Sequence, residues 1–339
     1  MAHMTNPLAT VDQLYQRTSF SALPSDLQDA IFFATQRLTQ AAGILLRLPQ
    51  SVTAQANVVL ARYWLVESPL SHEFADTSAA ALFLVAKLSA HPCLPRDICN
   101  VYAYLLSPAS ALSKSGSNNN DGGGGGGGRG DVDDKDRGDP SSYYLSESAY
   151  ASFRSRILAL EARILYSLSF DTHVALPHPL AITYLQALDF LDQPRAEIAR
   201  RAVAYLNAAL LSPQLLYLTH QPHALAVAAI YSAARDAGAK MPTCAWWEVF
   251  DVDREELGFL VVGMRSLEGW VRAQQREEDG GVLARGMVIT RAYVEGEMRK
   301  RGLRIGNGSA GAEAGEEEME DEETALMRQM DEKAAQLDE

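Results

Sequence analysis

Ser78-Ala-Ala-Ala-Leu-Phe-Leu-Val-Ala86 carries no charge and one polar side chain. A helix that is apolar on every side is enclosed on every side, and alanines let its neighbours approach closely. The stretch predicts the central helix of a bundle, ending at Lys87. A second stretch of this kind, Ala224-Leu-Ala-Val-Ala-Ala-Ile-Tyr-Ser-Ala-Ala234, follows Pro222 and ends at Arg235, 148 residues beyond Lys87. Outward from each, amphipathic patterns recur. Leu27, Ile31, Ala34, Leu38, Ala41 and Leu45 form one stripe at helical spacing, and Ser25 with Gln28 reads as a capping box at its start. Pro49 ends that helix. Ser51 reads as the cap of the next, which carries Ala56, Val59, Tyr63 and Trp64. A short helix from Pro95 follows the first central helix, and Phe153, Ile157, Leu160, Ile164 and Leu168 mark a fifth. Around the second central stretch lie helices at about 179 to 190 and 195 to 211, the aromatic Trp246-Trp247-Glu248-Val249-Phe250, and a last helix from Asp253 to about Gln275. Nothing alternates as a strand does. The chain reads as all-α, two five-helix repeats.

The 339 residues are 47% hydrophobic and 22% charged, with a net charge of −13. Residues 312–339 hold twelve acidic and two basic side chains, and 107–142 hold six and four. The remainder is therefore near neutral and offers no basic face for nucleic acid. Ser, Asn, seven successive glycines and mixed charges make 107–142 a disordered insertion. Residues 1–24 read as a loose lead-in whose Met1-Ala-His-Met4 is a cloning scar, and no signal peptide is visible. Three cysteines, Cys93, Cys99 and Cys244, are too few for a disulfide framework and fit a reducing compartment. No apolar run reaches the ~20 residues of a membrane helix. Leu283, Met287, Val294 and Met298 suggest a post-repeat helix within 276–311, and Leu326, Met330 and Leu337 a short helix in the acidic tail 312–339.

No motif of an enzyme stands out. There is no P-loop and no kinase catalytic loop. The glycines at 122 to 128 follow no strand and open no helix. His91-Pro92-Cys93 and His220-Gln221-Pro222-His223 lack a second ligand pair at zinc spacing and read as loop and cap residues. Asn307-Gly308-Ser309 matches a glycosylation sequon but is idle in an intracellular protein. No catalytic residue, metal or cofactor is expected.

Three segments carry a family resemblance. Leu38-Thr-Gln-Ala-Ala-Gly-Ile-Leu-Leu-Arg-Leu-Pro-Gln50 resembles the first-helix segment of cyclin L proteins. Asp171-Thr-His-Val-Ala-Leu-Pro-His-Pro-Leu180 with Tyr184-Leu-Gln-Ala-Leu188 is similar to that family's junction between boxes, and Tyr293-Val-Glu-Gly-Glu-Met-Arg-Lys-Arg301 to its post-box segment. The resemblance covers about 26 to 301, outside the insertion. It implies two tandem cyclin boxes, 25–172 and 173–275. It also implies a partner: a cyclin-dependent kinase of the PITSLRE type, in transcription and pre-mRNA splicing in the nucleus, with a third protein subunit possible and neither nucleic acid nor membrane bound directly. Cyclins hold their kinase through a Lys closing the third helix and a Glu in the fifth. Lys87 and Glu161 stand at those places, with Leu88, Leu165 and Phe170 as apolar neighbours. Two other readings stand beside it: an activator resembling cyclin Q, whose family Trp246–Phe250 resembles, and a cyclin-fold scaffold that activates no kinase. The chain departs from the family where Leu-Ser-Ala-His follows Lys87 and where an acidic stretch replaces an Arg-Ser-rich tail. Gln36-Arg-Leu-Thr-Gln40 stands where cell-cycle cyclins carry a hydrophobic docking motif.

Overall fold

The computed structural model describes residues 5–19, 23–108, 110, 112, 144–191, 196–276, 282–283, 286 and 288–303. Most of the insertion, the glycine run, the sequon and the acidic tail lie outside the described residues. Contacts divide the chain into two units, Met1–Val294 and Glu295–Glu339. In the first, the described residues form helices and connecting turns with no strand. The first repeat is α2 (Ser25–Leu45), α3 (Gln50–Val66), α4 (Phe74–Leu88), α5 (Pro95–Leu106) and α6 (Glu147–Ser167). The second is α7 (Pro177–Ala187), α8 (Ala196–Ala209), α10 (Pro222–Asp236), a 3-10 turn at Trp246–Phe250, and α11 (Arg254–Gln274). Two helices have no counterpart in the expected plan: α1 (Val11–Ser19) and the one-turn α9 (Leu216–Thr219). In the second unit the described residues hold the end of α12 (Arg291–Lys300), where Lys300 pairs with Glu297 at 2.6 Å.

The two uncharged stretches are the centres of their repeats. Every residue of α4 from Phe74 to Ala86 is buried, because α2, α3, α5 and α6 surround it. Likewise α10 is buried from Ala224 to Ile230 inside α7, α8 and α11. The one hydroxyl in the first stretch is accounted for. The Ser78 hydroxyl lies 2.7 Å from Thr39 Oγ1 on α2 and 2.6 Å from the Tyr102 hydroxyl on α5. A buried polar group costs little when its partners are built into the neighbouring helices. Gly43 shows how tightly α2 and α3 meet. A Cβ at this position would fall 2.2 Å from Thr53 Oγ1 and 3.0 Å from Thr53 Cβ.

The helix starts differ from the expected caps. Pro24 and Pro49 occupy the cap positions of α2 and α3, so neither Ser25 nor Ser51 caps a helix end. Gln28 does not close a capping box. Its amide donates to the carbonyls of Arg17 and Leu23, at 3.0 and 2.8 Å, fastening the preceding segment to α2.

That segment is the larger correction. Residues 5–19 are not a loose lead-in. Asn6 is buried, and its side chain pairs with the Ala175 backbone as a strand would: Nδ2 donates to Ala175 O and Ala175 N donates to Oδ1, both at 2.8 Å. The Asn6 main chain exchanges two further hydrogen bonds with the Gln221 side chain, each 3.0 Å. Arg62 of α3 reaches the same place, donating to His173 O at 2.7 Å. One asparagine thus joins α3, the connection between the repeats and the start of α10. On the other side of the junction, Asn207 accepts from Gln50 at 2.9 Å, its carbonyl accepts from Gln40 at 3.1 Å, and its side-chain oxygen lies 2.9 Å from His178 Nε2.

Two outcomes follow for stability. Gly43→Ala should cost about 1–3 kcal/mol by overpacking, measured by urea unfolding, with partial recovery in Gly43→Ala/Thr53→Ala. Asn6→Ala should cost a comparable amount, about 1–3 kcal/mol, because it strands the buried Ala175 amide and carbonyl. An Asn6→Ala protein with the wild-type unfolding midpoint would show that the junction holds without it.

Candidate functional site

The site begins at the end of α4. The helix loses its enclosure at Lys87, whose ammonium leaves the bundle and meets Glu161 on the facing side of α6 at 2.9 Å. The two partners sit in different surroundings. The Glu161 side chain is 8% exposed and the Lys87 side chain 59%. Glu161, four residues after Ile157 and three before Ile164, stands at the edge of the stripe of Phe153, Ile157, Leu160 and Ile164 and is as buried as they are, because the α4–α6 contact covers it. Lys87 Nζ also lies 5.7 Å from the Phe83 ring centroid, one turn back on α4, within reach of a cation–π attraction.

Beside Lys87, and beyond the end of α6, large apolar side chains stand open to solvent. Leu88 and Phe170 are each 61% exposed. Leu165, one turn beyond Glu161, is half-buried. Phe170 is placed by the way α6 ends. Its amide returns to Leu165 O at 2.8 Å, and both Ser169 and Phe170 take positive φ, +50° and +63°. Side chains with a Cβ rarely adopt that conformation. The turn points Phe170 back along the helix, edge-on to Tyr166 at 5.4 Å between centroids. Tyr166 is itself exposed and was not among the residues expected from sequence, although its spacing of four before Phe170 is the available clue. Thus Lys87 and Glu161 are brought into direct contact. Leu88 follows Lys87 and Leu165 lies one turn beyond Glu161, while Phe170 pairs with Tyr166 at the end of α6.

The other groups singled out in the sequence lie elsewhere in the fold. His91 and Cys93 lie in a surface turn. His220 stacks on Phe259 at 5.3 Å and lies 2.9 Å from Thr219 Oγ1, and burial lowers its pKa. Trp246 is buried, with Trp247 and Phe250 edge-on to it. Among the described residues no cluster of His, Cys, Asp and Glu is placed to hold a metal ion, and no helix is long and apolar enough to cross a membrane.

No family model matches the chain. A cyclin-L1-like protein of Schizosaccharomyces pombe is 31% identical over 221 residues, which cover 65% of this chain and 76% of that one. The chain belongs to the cyclin L family. Human cyclin-L2 is 26% identical over 302 residues, covering 88% of this chain and 51% of the relative, so the chain spans about half the length of that cyclin L. Among solved structures, a chain of the yeast RNA Pol II CTD kinase CTDK-1 complex matches with a TM-score of 0.56 at 16% identity, over 88% of this chain and 84% of that one. That likeness is one of fold. As a cyclin L, the chain gives its first-helix motif a physical meaning: Gly43 admits α3, and Gln40 and Gln50 reach across to Asn207.

The unequal burial of the ion pair makes its two ends unequal. Removing Glu161 leaves an ammonium already in water, whereas removing Lys87 leaves a buried carboxylate without its counter-charge. Lys87→Met should destabilise the fold by about 1–3 kcal/mol and Glu161→Gln by less than ~1 kcal/mol. Equal losses in denaturant titrations would mean that the carboxylate is as well hydrated as the ammonium.

Proposed function

We propose that this cyclin L chain is the regulatory subunit of a cyclin-dependent kinase of the PITSLRE type, acting in transcription and pre-mRNA splicing in the nucleus. The observation that supports a kinase-binding subunit is the Lys87–Glu161 pair with the exposed Leu88 next to it. The kinase class, process and compartment rest on family membership. In this reading the chain contributes no catalytic group. A kinase is active when a glutamate of its αC helix pairs with a lysine on strand β3, which requires αC to be held inward. Lys87 keeps donors to spare beyond the one given to Glu161, and a carboxylate offers more acceptor sites than one lysine fills. Together they suit the backbone groups at the end of a kinase helix. Leu88, next to Lys87, would lose its water on docking and shield the polar contacts beside it, and the exposed Tyr166 and Phe170 would add apolar area where the kinase reaches the end of α6.

Glu161→Ala should weaken the complex by about 2–4 kcal/mol, as expected for a buried polar anchor at an interface. The measurement is the amount of PITSLRE-type kinase that co-purifies with the full chain, wild-type against variant, with circular dichroism confirming that the variant is folded. Undiminished kinase on the folded variant would overturn this reading.

A further inference from the structure

A second surface, sharing no residue with the Lys87–Glu161 site, has the features of a docking groove. It opens between α8 and α11, with α2 along one end, and encloses about 730 Å³. Its wall on α8 is cut back by Ala204 and Ala208, one turn apart, while Met264, Leu267 and Val271 of α11 form the other side. Phe33 of α2 is anchored edge-on to Trp270, 5.4 Å between centroids, which fixes the end of the groove.

The charges in this groove are neutralised from within, with one exception. Arg201 pairs with Glu197 at 3.0 Å, Arg265 with Asp236 at 2.8 Å, and Arg272 with Glu268. Tyr205 donates to the same Asp236. Arg37 is half-buried beside Phe33, and no hydrogen bond or ion pair joins it to any described residue. Burial alone acts on its guanidinium and lowers its pKa. A cation withdrawn from water without a counter-charge is an unfavourable arrangement that an incoming anion would relieve. An apolar trough between two helices, floored by small side chains, accommodates the apolar face of a third.

We propose that this groove docks a short amphipathic helix of a partner protein, with an Asp or Glu carboxylate on Arg37 and apolar side chains seated over Ala204, Ala208 and Val271. A guanidinium is suited to a carboxylate because its planar donors match both oxygens. The occupant is distinct from the kinase proposed above, so the two surfaces would serve different partners.

The test is selection of a displayed library of random peptides on the immobilised full chain, followed by anisotropy titration of the enriched sequences. The enriched peptides should carry an acidic residue within one helical turn of an apolar pair. They should lose about tenfold or more in affinity on Arg37→Glu, as for a desolvated charge pair. Ala208→Trp, which fills the trough and leaves Arg37 in place, should abolish binding. Replacing the peptide's acidic residue with its amide should weaken binding to the wild type and have no further effect on Arg37→Gln. Retention of the Lys87–Glu161 kinase complex by Arg37→Glu would keep this result separate from that of the kinase reading. No enrichment on the folded wild type, or binders indifferent to Arg37→Glu and Ala208→Trp, would overturn the proposal. So would sedimentation showing that the wild type fills the groove with a second copy of itself and that Arg37→Glu is monomeric.

Discussion

A helix with no polar face has to be enclosed, and this molecule contains two. The α4 stretch around Ala79–Ala81 and the α10 stretch around Ala226–Ala229 present only small apolar surfaces to their surroundings. Four helices must gather round the first, and three helices and a short turn round the second. Each repeat is the solution to that requirement. Alanine serves it by allowing short distances between axes, and the cost appears at positions such as Gly43, where no Cβ fits.

The same constraint prepares the candidate site. Because α6 must cover α4 along its length, a carboxylate on the margin of their contact is withdrawn from water. Because α4 emerges at Lys87, its ammonium is the first charge available to that carboxylate. The pair is therefore a by-product of enclosing an apolar helix and ending it beside another. Its glutamate side is enclosed by the fold and its lysine side is open to water. A binding surface gains from this combination: the buried partner is preorganised, and the exposed one retains donors for a new contact.

What was legible in the sequence depended on the range of the interaction that carries it. Enclosure is written in composition, so both central helices and the helices around them could be read from runs of alanine and stripes at helical spacing. Lys87 and Glu161 were legible through family resemblance, since nothing in the spacing of residues 74 apart brings them together. The start of the chain was not legible. Its order rests on one asparagine bonded to residues 169 and 215 positions away, and such bonds leave no periodic trace. The expected caps failed for a related reason: proline already fixes the entry to α2 and α3, leaving Ser25 one position too late and Ser51 two. Tyr166 and Arg37 were passed over because each gains its meaning from surroundings, an aromatic neighbour for one and missing carboxylates for the other.

The long reach of Asn6 has a consequence in time. At synthesis rates of roughly 5–20 residues per second, the Gln221 side chain is made roughly ten to forty seconds after Asn6. The first repeat is complete well before then, so it can collapse while its connection to the second is still absent. During that interval Asn6 and the segment leading to α1 have no Ala175 or Gln221 to bond. Asn6, made before the residues it bonds to, is among the last of this region to be fixed. Contacts of such sequence separation raise the contact order of an otherwise locally wired helical protein, a feature that goes with slower folding.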